Sequence, residues 1–348
     1  MSKYLFLNKL RYILFPFSIV YALITEFRNL LYDKKILKSV SFDVPIINVG
    51  NLSVGGTGKT PQIEYLIRLL QNDYKIAVIS RGYKRKSKGI IIADEQATAE
   101  QIGDEPYQIH QKFPNVLVAV GSSRVAVVRK VLAKNDIDVI LLDDAFQHRH
   151  IKAGLNIILT PFQQLFSNDF VLPAGNLREC RRQAKHADIV LVTKSPDDIN
   201  LKQKEPVIQS LRKYFEKTIF FASIDYQDEI LSDKNAISLL KLKDYDVLLI
   251  TGIANPKPLY SFLSEKNINF VSLKYGDHHS FSATDIQQIN KQYQQLQSND
   301  KIVLTTEKDY VRLRHLVNLP LYYLPISTKV FENEMFNNKI LDYVRKDK

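Results

Sequence analysis

Tryptophan is absent from this 348-residue chain, cysteine occurs once and methionine twice. The single thiol, Cys180, excludes an internal disulfide framework and suits a reducing compartment. It has no CxxC partner, which also closes a zinc-knuckle reading. No apolar run reaches the roughly 20 residues needed to cross a bilayer. Internal repeats and low-complexity tracts are missing, as is any signature of an RNA- or DNA-reading module. A hydrophobic content of 45% and a charged content of 24% belong to an ordinary folded protein, and this length suits two domains. What the chain has in excess is positive charge. Its net +11 calls for an anionic partner: nucleic acid, anionic lipid headgroups or a phosphorylated substrate.

The N-terminal residues narrow that choice. Lys3, Lys9 and Arg11 precede the apolar stretch Ile13–Ile24, and Lys34, Lys35 and Lys38 follow it. A charged flank before an apolar stretch is also the form of a secretory signal, but no small-residue cleavage site follows. The remaining readings are a helix packed on the protein's own core and a helix, kinked at Pro16, lying in a membrane interface with lysines near the headgroups. Phe15, Phe17, Tyr21 and Phe27 favour the interface.

The most specific stretch is Asn48-Val49-Gly50-Asn51-Leu52-Ser53-Val54-Gly55-Gly56-Thr57-Gly58-Lys59-Thr60-Pro61. It follows an apolar run and precedes a helical pattern with Ile63, Leu66, Ile67 and Leu70 on one face. A strand, a glycine-rich turn, Lys-Thr and a helix form the physical device that holds a nucleotide triphosphate. Backbone N–H groups from Ser53, Val54, Gly55, Gly56, Thr57 and Gly58 turn inward around the phosphates. Lys59 reaches the β/γ-phosphates and the Thr60 hydroxyl ligates Mg²⁺ at the positive end of the helix. Ser53 stands where the loop ordinarily has its first glycine.

Strand-like runs alternate with helical patterns, predicting an α/β fold: a P-loop NTPase core with a mostly parallel sheet, then a smaller C-terminal α/β lobe. The expected strands are Pro45–Val49, Ile76–Ser80, Val116–Val120, Val139–Leu142, Asn156–Leu159 and Ile189–Thr193. A second series follows at Val247–Thr251, Phe270–Leu273, Ile302–Thr305 and Tyr322–Leu324. Helices are expected at Pro61–Gln71, Asp104–Lys112, Ser123–Lys134 and around Arg181–His186. A polar stretch near Ser223–Lys243 separates the series. The resulting division is an N-terminal membrane-associated segment (1–40), a core (41–225) and a C-terminal lobe (226–348), with a cleft between core and lobe.

Several residue groups carry chemistry in this frame. Asp143-Asp144 closes an apolar strand, where a P-loop fold needs a second magnesium-positioning group; either can be the metal's direct ligand. Asp104 in Gly103-Asp104-Glu105-Pro106 reads equally as a helix N-cap and as the base that takes a proton from an attacking hydroxyl. In Asp277-His278-His279, adjacent histidines suit a metal site, a base-orienting pair or plain exposed loop residues, and a histidine that orients a catalytic aspartate is the economical role. Arg178 would stabilise charge on the transferred phosphoryl group, with Glu179 helping to hold the metal. Arg81 and Tyr83, in Ser80-Arg81-Gly82-Tyr83-Lys84, are either substrate contacts or an ordinary basic loop.

Together these pieces resemble the tetraacyldisaccharide 4'-kinases, the lipid A kinases of Gram-negative bacteria. The resemblance runs nearly end to end through VGNLSVGGTGKTP, SRGY, GDEP, LLDDAFQH, PAGNLRE, TGIANP, DHHSFS and TEKDYVRL, in order. It implies transfer of the ATP γ-phosphate to the 4'-hydroxyl of a tetraacylated disaccharide 1-phosphate, giving lipid IVA, at the cytoplasmic face of the inner membrane. By the resemblance Asp104 is the base and His278 pairs with it, Lys59 and Arg178 stabilise phosphate charge, and Thr60, Asp144 and Glu179 surround Mg²⁺ with Asp143 close by. On that assignment Asp104 and His278 meet only when the cleft closes, a safeguard against wasteful hydrolysis. The expected partners are the lipid substrate and the membrane surface, with no nucleic acid and no obligate protein partner.

Two rival classes fit less well. A regulatory P-loop ATPase or GTPase of the Gly-Lys-Gly-Gly-x-Gly-Lys-Thr type would have Gly-Lys where this chain has Ser53-Val54. A guanine-reading motif would place Asp where Pro196 stands after Thr193-Lys194-Ser195. A non-enzymatic binding protein with a dead nucleotide site would not keep Gly58-Lys59-Thr60 beside Asp143-Asp144.

Overall fold

The computed structural model describes residues 11–277 and 279–346. Lys3, Lys9 and His278 therefore lie outside the described residues. The strands are β1 (Ile46–Asn51), β2 (Ile76–Ser80), β3 (Ile91–Ile92), β4 (Leu117–Val120), β5 (Val139–Asp143), β6 (Leu155–Pro161), β7 (Ile189–Thr193) and β8 (Thr218–Tyr226), continuing with β9 (Glu229–Leu231), β10 (Ala236–Ser238), β11 (Asp246–Thr251), β12 (Phe270–Lys274), β13 (Lys301–Thr306), β14 (Leu321–Leu324) and β15 (Ile326–Val330). Among the described residues they form two sheets, ordered β15-β8-β7-β6-β1-β5-β2-β4-β3 and β10-β9-β14-β13-β11-β12.

The first sheet is parallel from β8 to β4, with antiparallel edges at β15 and β3. Every residue of β1 is buried, as a central strand covered on both faces requires. On one side Ile63, Leu66, Ile67 and Leu70 of the helix Lys59–Leu70 pack into a core with Ile47, Val49 and Leu141. In the second sheet β11–β14 are parallel and β9 and β10 antiparallel, around a core that includes Val247, Leu249 and Leu304.

Every strand named from the sequence forms, with ends shifted by at most two residues. The helix expected around Arg181–His186 is a 3-10 turn. Two differences matter. The stretch taken as a divider, near Ser223–Lys243, opens with the end of β8 and continues as β9 and β10. The chain also returns to the first sheet after β14: β15 pairs with β8, and Phe336, Ile340 and Val344 of the helix Asn333–Lys346 enter the core beneath β1. Residues 326–346 therefore pack with the core and not with the second lobe, against the expected 226–348 division. The second lobe is an insertion joined through two adjacent strands, where Gln227 N–H donates to the Pro325 carbonyl at 3.1 Å.

The helix Phe15–Asp33 carries Pro16 in its first turn, where proline lacks only an N–H that has no helical partner, so no kink is needed. Its buried residues are polar, Ser18 and Asn29. Phe17 (66% exposed), Leu23 (65%), Ile24 (63%) and Phe27 (63%) face outward. The helix is thus amphipathic with its polar stripe against the protein and its apolar face uncovered.

Candidate active site

β1 ends at Asn51, and the loop to Gly58 feeds the helix that opens at Lys59. Gly55 (φ 105°) and Gly58 (φ 92°) adopt left-handed backbone that other residues enter only with strain. The Ser53 position has a local explanation. Its backbone bridges Leu177, Val54 N–H donates to the Asn176 carbonyl at 2.8 Å, and Arg178 N–H donates to the Leu52 carbonyl at 2.7 Å. The start of the loop is zipped to the Pro173–Glu179 segment, and extended pairing of this kind suits serine better than glycine.

That zipper delivers Arg178 to the site. Its guanidinium donates to both oxygens of Asp144, at 2.8 and 3.1 Å, and to Asn51 Oδ1. Lys59 Nζ lies 3.8 Å from the same carboxylate. Burial pushes the Asp144 pKa up, but Lys59 and Arg178 outweigh it and hold it below the ordinary range. Asp144 itself has φ 51°, so the chain turns sharply between the two aspartates. Asp143 points elsewhere: Ser80 Oγ donates to its Oδ2 at 2.9 Å, and Oδ1 is buried without a partner among the described residues. Burial, then the charges of Glu105 and Asp144, push Asp143 up to about 7.

A buried carboxylate oxygen without a donor, beside the helix start at Lys59-Thr60, is what a divalent cation would complete. Among the described residues no three acidic or histidine side chains converge as a ready-made cage. Mg²⁺ does not ask for one, because it keeps waters and takes substrate phosphates as ligands. Glu179, expected near the metal, is instead engaged by the N-terminal helix. Arg28 pairs with its Oε1 and Asn29 Nδ2 donates to the same oxygen at 3.2 Å. Burial raises its pKa against these partners.

Asp104 opens the helix Asp104–Lys112, with Gly103 as the capping residue and no side-chain cap bond. Its carboxylate receives Arg312 of the second lobe, through Nε at 3.0 Å and through Nη2. Arg81 and Tyr83 are exposed on the loop after β2. Sequence reasoning missed Asn51, Lys194 and Arg312. Asn51 donates through Nδ2 to Thr57 Oγ1 at 2.9 Å, and Lys194 Nζ donates to the Gly56 carbonyl at 2.6 Å. Burial lowers the pKa of Lys194. The signal was present for all three, since Asn51 lies inside VGNLSVGGTGKTP, Arg312 inside TEKDYVRL and Lys194 directly after β7.

A family model for tetraacyldisaccharide-1-P 4'-kinase matches residues 10–345. The chain belongs to that family. The tetraacyldisaccharide 4'-kinase of Flavobacterium johnsoniae is 50% identical over 345 residues, covering 98% of this chain and 99% of the relative. That of Bacteroides thetaiotaomicron is 44% identical, with 96% and 93% covered. A crystal structure of LpxK from Aquifex aeolicus in complex with ATP matches with a TM-score of 0.77 at 32% identity, over 96% of this chain and 99% of that one. The protein is an ATP-binding kinase that phosphorylates the 4'-hydroxyl of tetraacyldisaccharide 1-phosphate in lipid A biosynthesis. The lipid disaccharide is thus the acceptor substrate.

Proposed function

We propose that transfer takes place above the carboxyl ends of β1 and β5. The backbone of Ser53–Gly58 cradles the triphosphate, with Lys59 and Arg178 neutralising charge on the transferred group. Asp104 accepts the proton of the 4'-hydroxyl as that oxygen bonds to the γ-phosphorus and ADP departs. His278 would orient Asp104, and Arg81 and Tyr83 would contact the anionic disaccharide. The observation that carries this reading is the convergence of Lys59 and Arg178 on Asp144 beside the unpartnered oxygen of Asp143.

Thr60, Asp143 and Asp144 are the residues that would hold Mg²⁺, which when bound neutralises charge on the triphosphate. Glu179 acts at one remove by fixing the loop that carries Arg178. Lys59 and Arg178 are already paired to Asp144, so triphosphate oxygens would compete for both cations. Phosphoryl transfer needs positioning and positive charge more than covalent help, and this arrangement supplies both.

Among the described residues no helix is long and apolar enough to cross a membrane. The uncovered apolar face of Phe15–Asp33, followed by Lys34, Lys35 and Lys38, supports a peripheral seat at the cytoplasmic face of the inner membrane. That seat would put the site where an acylated substrate resides.

The test is phosphate transfer from radiolabelled ATP to tetraacyldisaccharide 1-phosphate in detergent micelles, comparing wild type with Asp104→Ala. Loss of kcat in the variant is expected. A variant as fast as wild type would remove Asp104 from the role of base.

A further inference from the structure

The helix Glu307–Leu313 of the second lobe lies against the helix Asp104–Lys112 of the core. Lys112 reaches Glu307 at 2.7 Å, Lys308 reaches Glu105 at 3.3 Å, and Arg314 donates to the Tyr107 hydroxyl at 2.6 Å. Arg312 makes the contact that bears on the chemistry, because its partner is Asp104. Its side chain is only 10% exposed, and two of its nitrogens address one oxygen, Oδ2.

The aim of Arg312 is set within its own lobe. Asp309, one helical turn earlier, is fully buried. Its Oδ2 accepts Gly252 N–H at 2.8 Å and Thr306 Oγ1 at 2.8 Å, and its Oδ1 accepts Arg312 Nη1 at 3.3 Å. A Cβ on Gly252 would stand 2.8 Å from Asp309 Oδ1, so the absence of a side chain there permits the approach. The chain of contacts runs from Gly252 through Asp309 and Arg312 to Asp104. It joins TGIANP, TEKDYVRL and GDEP, three segments far apart in the chain.

We propose that Arg312 is a positioning residue for phosphoryl transfer: aimed by Asp309, it orients the ionised carboxylate of Asp104, so the base is in place only when the second lobe is docked. The inference rests on reading Asp104 as the base. A guanidinium does this better than an ammonium, because its planar fork fixes the carboxylate's direction as well as its charge. A loose phosphoryl-transfer transition state asks more for correct placement of the base than for basic strength.

The experiment is steady-state kinetics on the full-length protein with ATP and tetraacyldisaccharide 1-phosphate in mixed micelles. Arg312→Ala should lower kcat about 100-fold, the scale of a misplaced catalytic group, with KM for ATP within about twofold. Arg312→Lys should recover part of the loss, Asp309→Asn should move kcat in the same direction as Arg312→Ala, and Arg314→Ala should stay near wild type. Combined with Asp104→Ala, Arg312→Ala should add no further loss. Wild-type kcat in Arg312→Ala, or a loss that adds fully to that of Asp104→Ala, would overturn the inference while leaving the base assignment standing. An active Asp104→Ala removes the base assignment and this inference with it. If Arg312→Ala does not fold, the lysine variant and Asp309→Asn decide: reduced kcat at unchanged KM supports the role, and wild-type kcat in both refutes it.

Discussion

Arg178 grips Asp144 through two hydrogen bonds of 2.8 and 3.1 Å, although 34 positions separate them in the chain. The pair exists because the loop carrying Arg178 is zipped to the start of the phosphate loop. Folding therefore brings a second cation to the site along with Lys59, before any nucleotide arrives.

Removing either cation should cost the transition state more than the ground state. Lys59→Ala and Arg178→Ala are each expected to lower kcat about 10²- to 10³-fold, on the scale of a lost charge-stabilising donor. Arg178→Lys should recover only part, since lysine cannot reproduce the two parallel bonds to Asp144. Steady-state kinetics with saturating ATP measures both.

Asp143 makes stability depend on pH in a direction unusual for an aspartate. Its folded pKa of about 7 lies above the ordinary value of 3.8 for an exposed aspartate. Between those values the folded chain holds a proton that the unfolded chain has released, so stability falls as pH rises from about 4 to 7 and stays reduced above. Asp143→Asn should therefore raise Tm at pH 8, by roughly 2–4 °C for each kcal/mol recovered, and by less at pH 5. Thermal melts at the two pH values check this; a gain larger at pH 5 would contradict it.

Glu179 should matter to the seating of the N-terminal helix. Hydrogen bonds to a charged group contribute about 1.5–3 kcal/mol, and Glu179 takes them from both Arg28 and Asn29. Glu179→Gln is expected to speed hydrogen exchange across Phe15–Asp33 by roughly tenfold or more, corresponding to that range. Exchange in β1 and β5 should hardly change. Equal protection of the helix in variant and wild type would show that Glu179 does not anchor it.

The uncovered face of the same helix gives an independent test. Replacing Phe17, Leu23 and Phe27 by serine removes apolar surface that touches no core cluster, so Tm should hold. Each side chain contributes about 1.5–3 kcal/mol when fully buried, so even partial insertion predicts at least a tenfold loss of binding to anionic vesicles. Co-sedimentation measures it, and undiminished binding would remove the helix from the membrane contact.

How far the site was legible follows from how local each part is. Gly55, Gly58, Lys59 and Thr60 lie within one short loop and the helix start it feeds, and their backbone demands are written in residue types. Asp143 and Asp144 were legible as a pair but not in their division, because the turn at Asp144, φ 51°, sends neighbouring side chains to different partners. Glu179 looked like a metal ligand beside Arg178. Only the packed N-terminal helix diverts it to Arg28 and Asn29. Arg312 was visible within its motif, yet its partner lies 208 positions away.

The sequence by itself determined the phosphate loop, the alternating strands and helices, and the order of motifs that defines the family, because these depend on local backbone preference and hydrophobic period. Tertiary structure alone decided that residues 326–346 rejoin the core, that the N-terminal helix turns its polar side inward, and that the second lobe lays Arg312 on Asp104. Strand pairing and ion pairing between distant segments are settled by which surfaces close together on folding, and no local pattern encodes that choice.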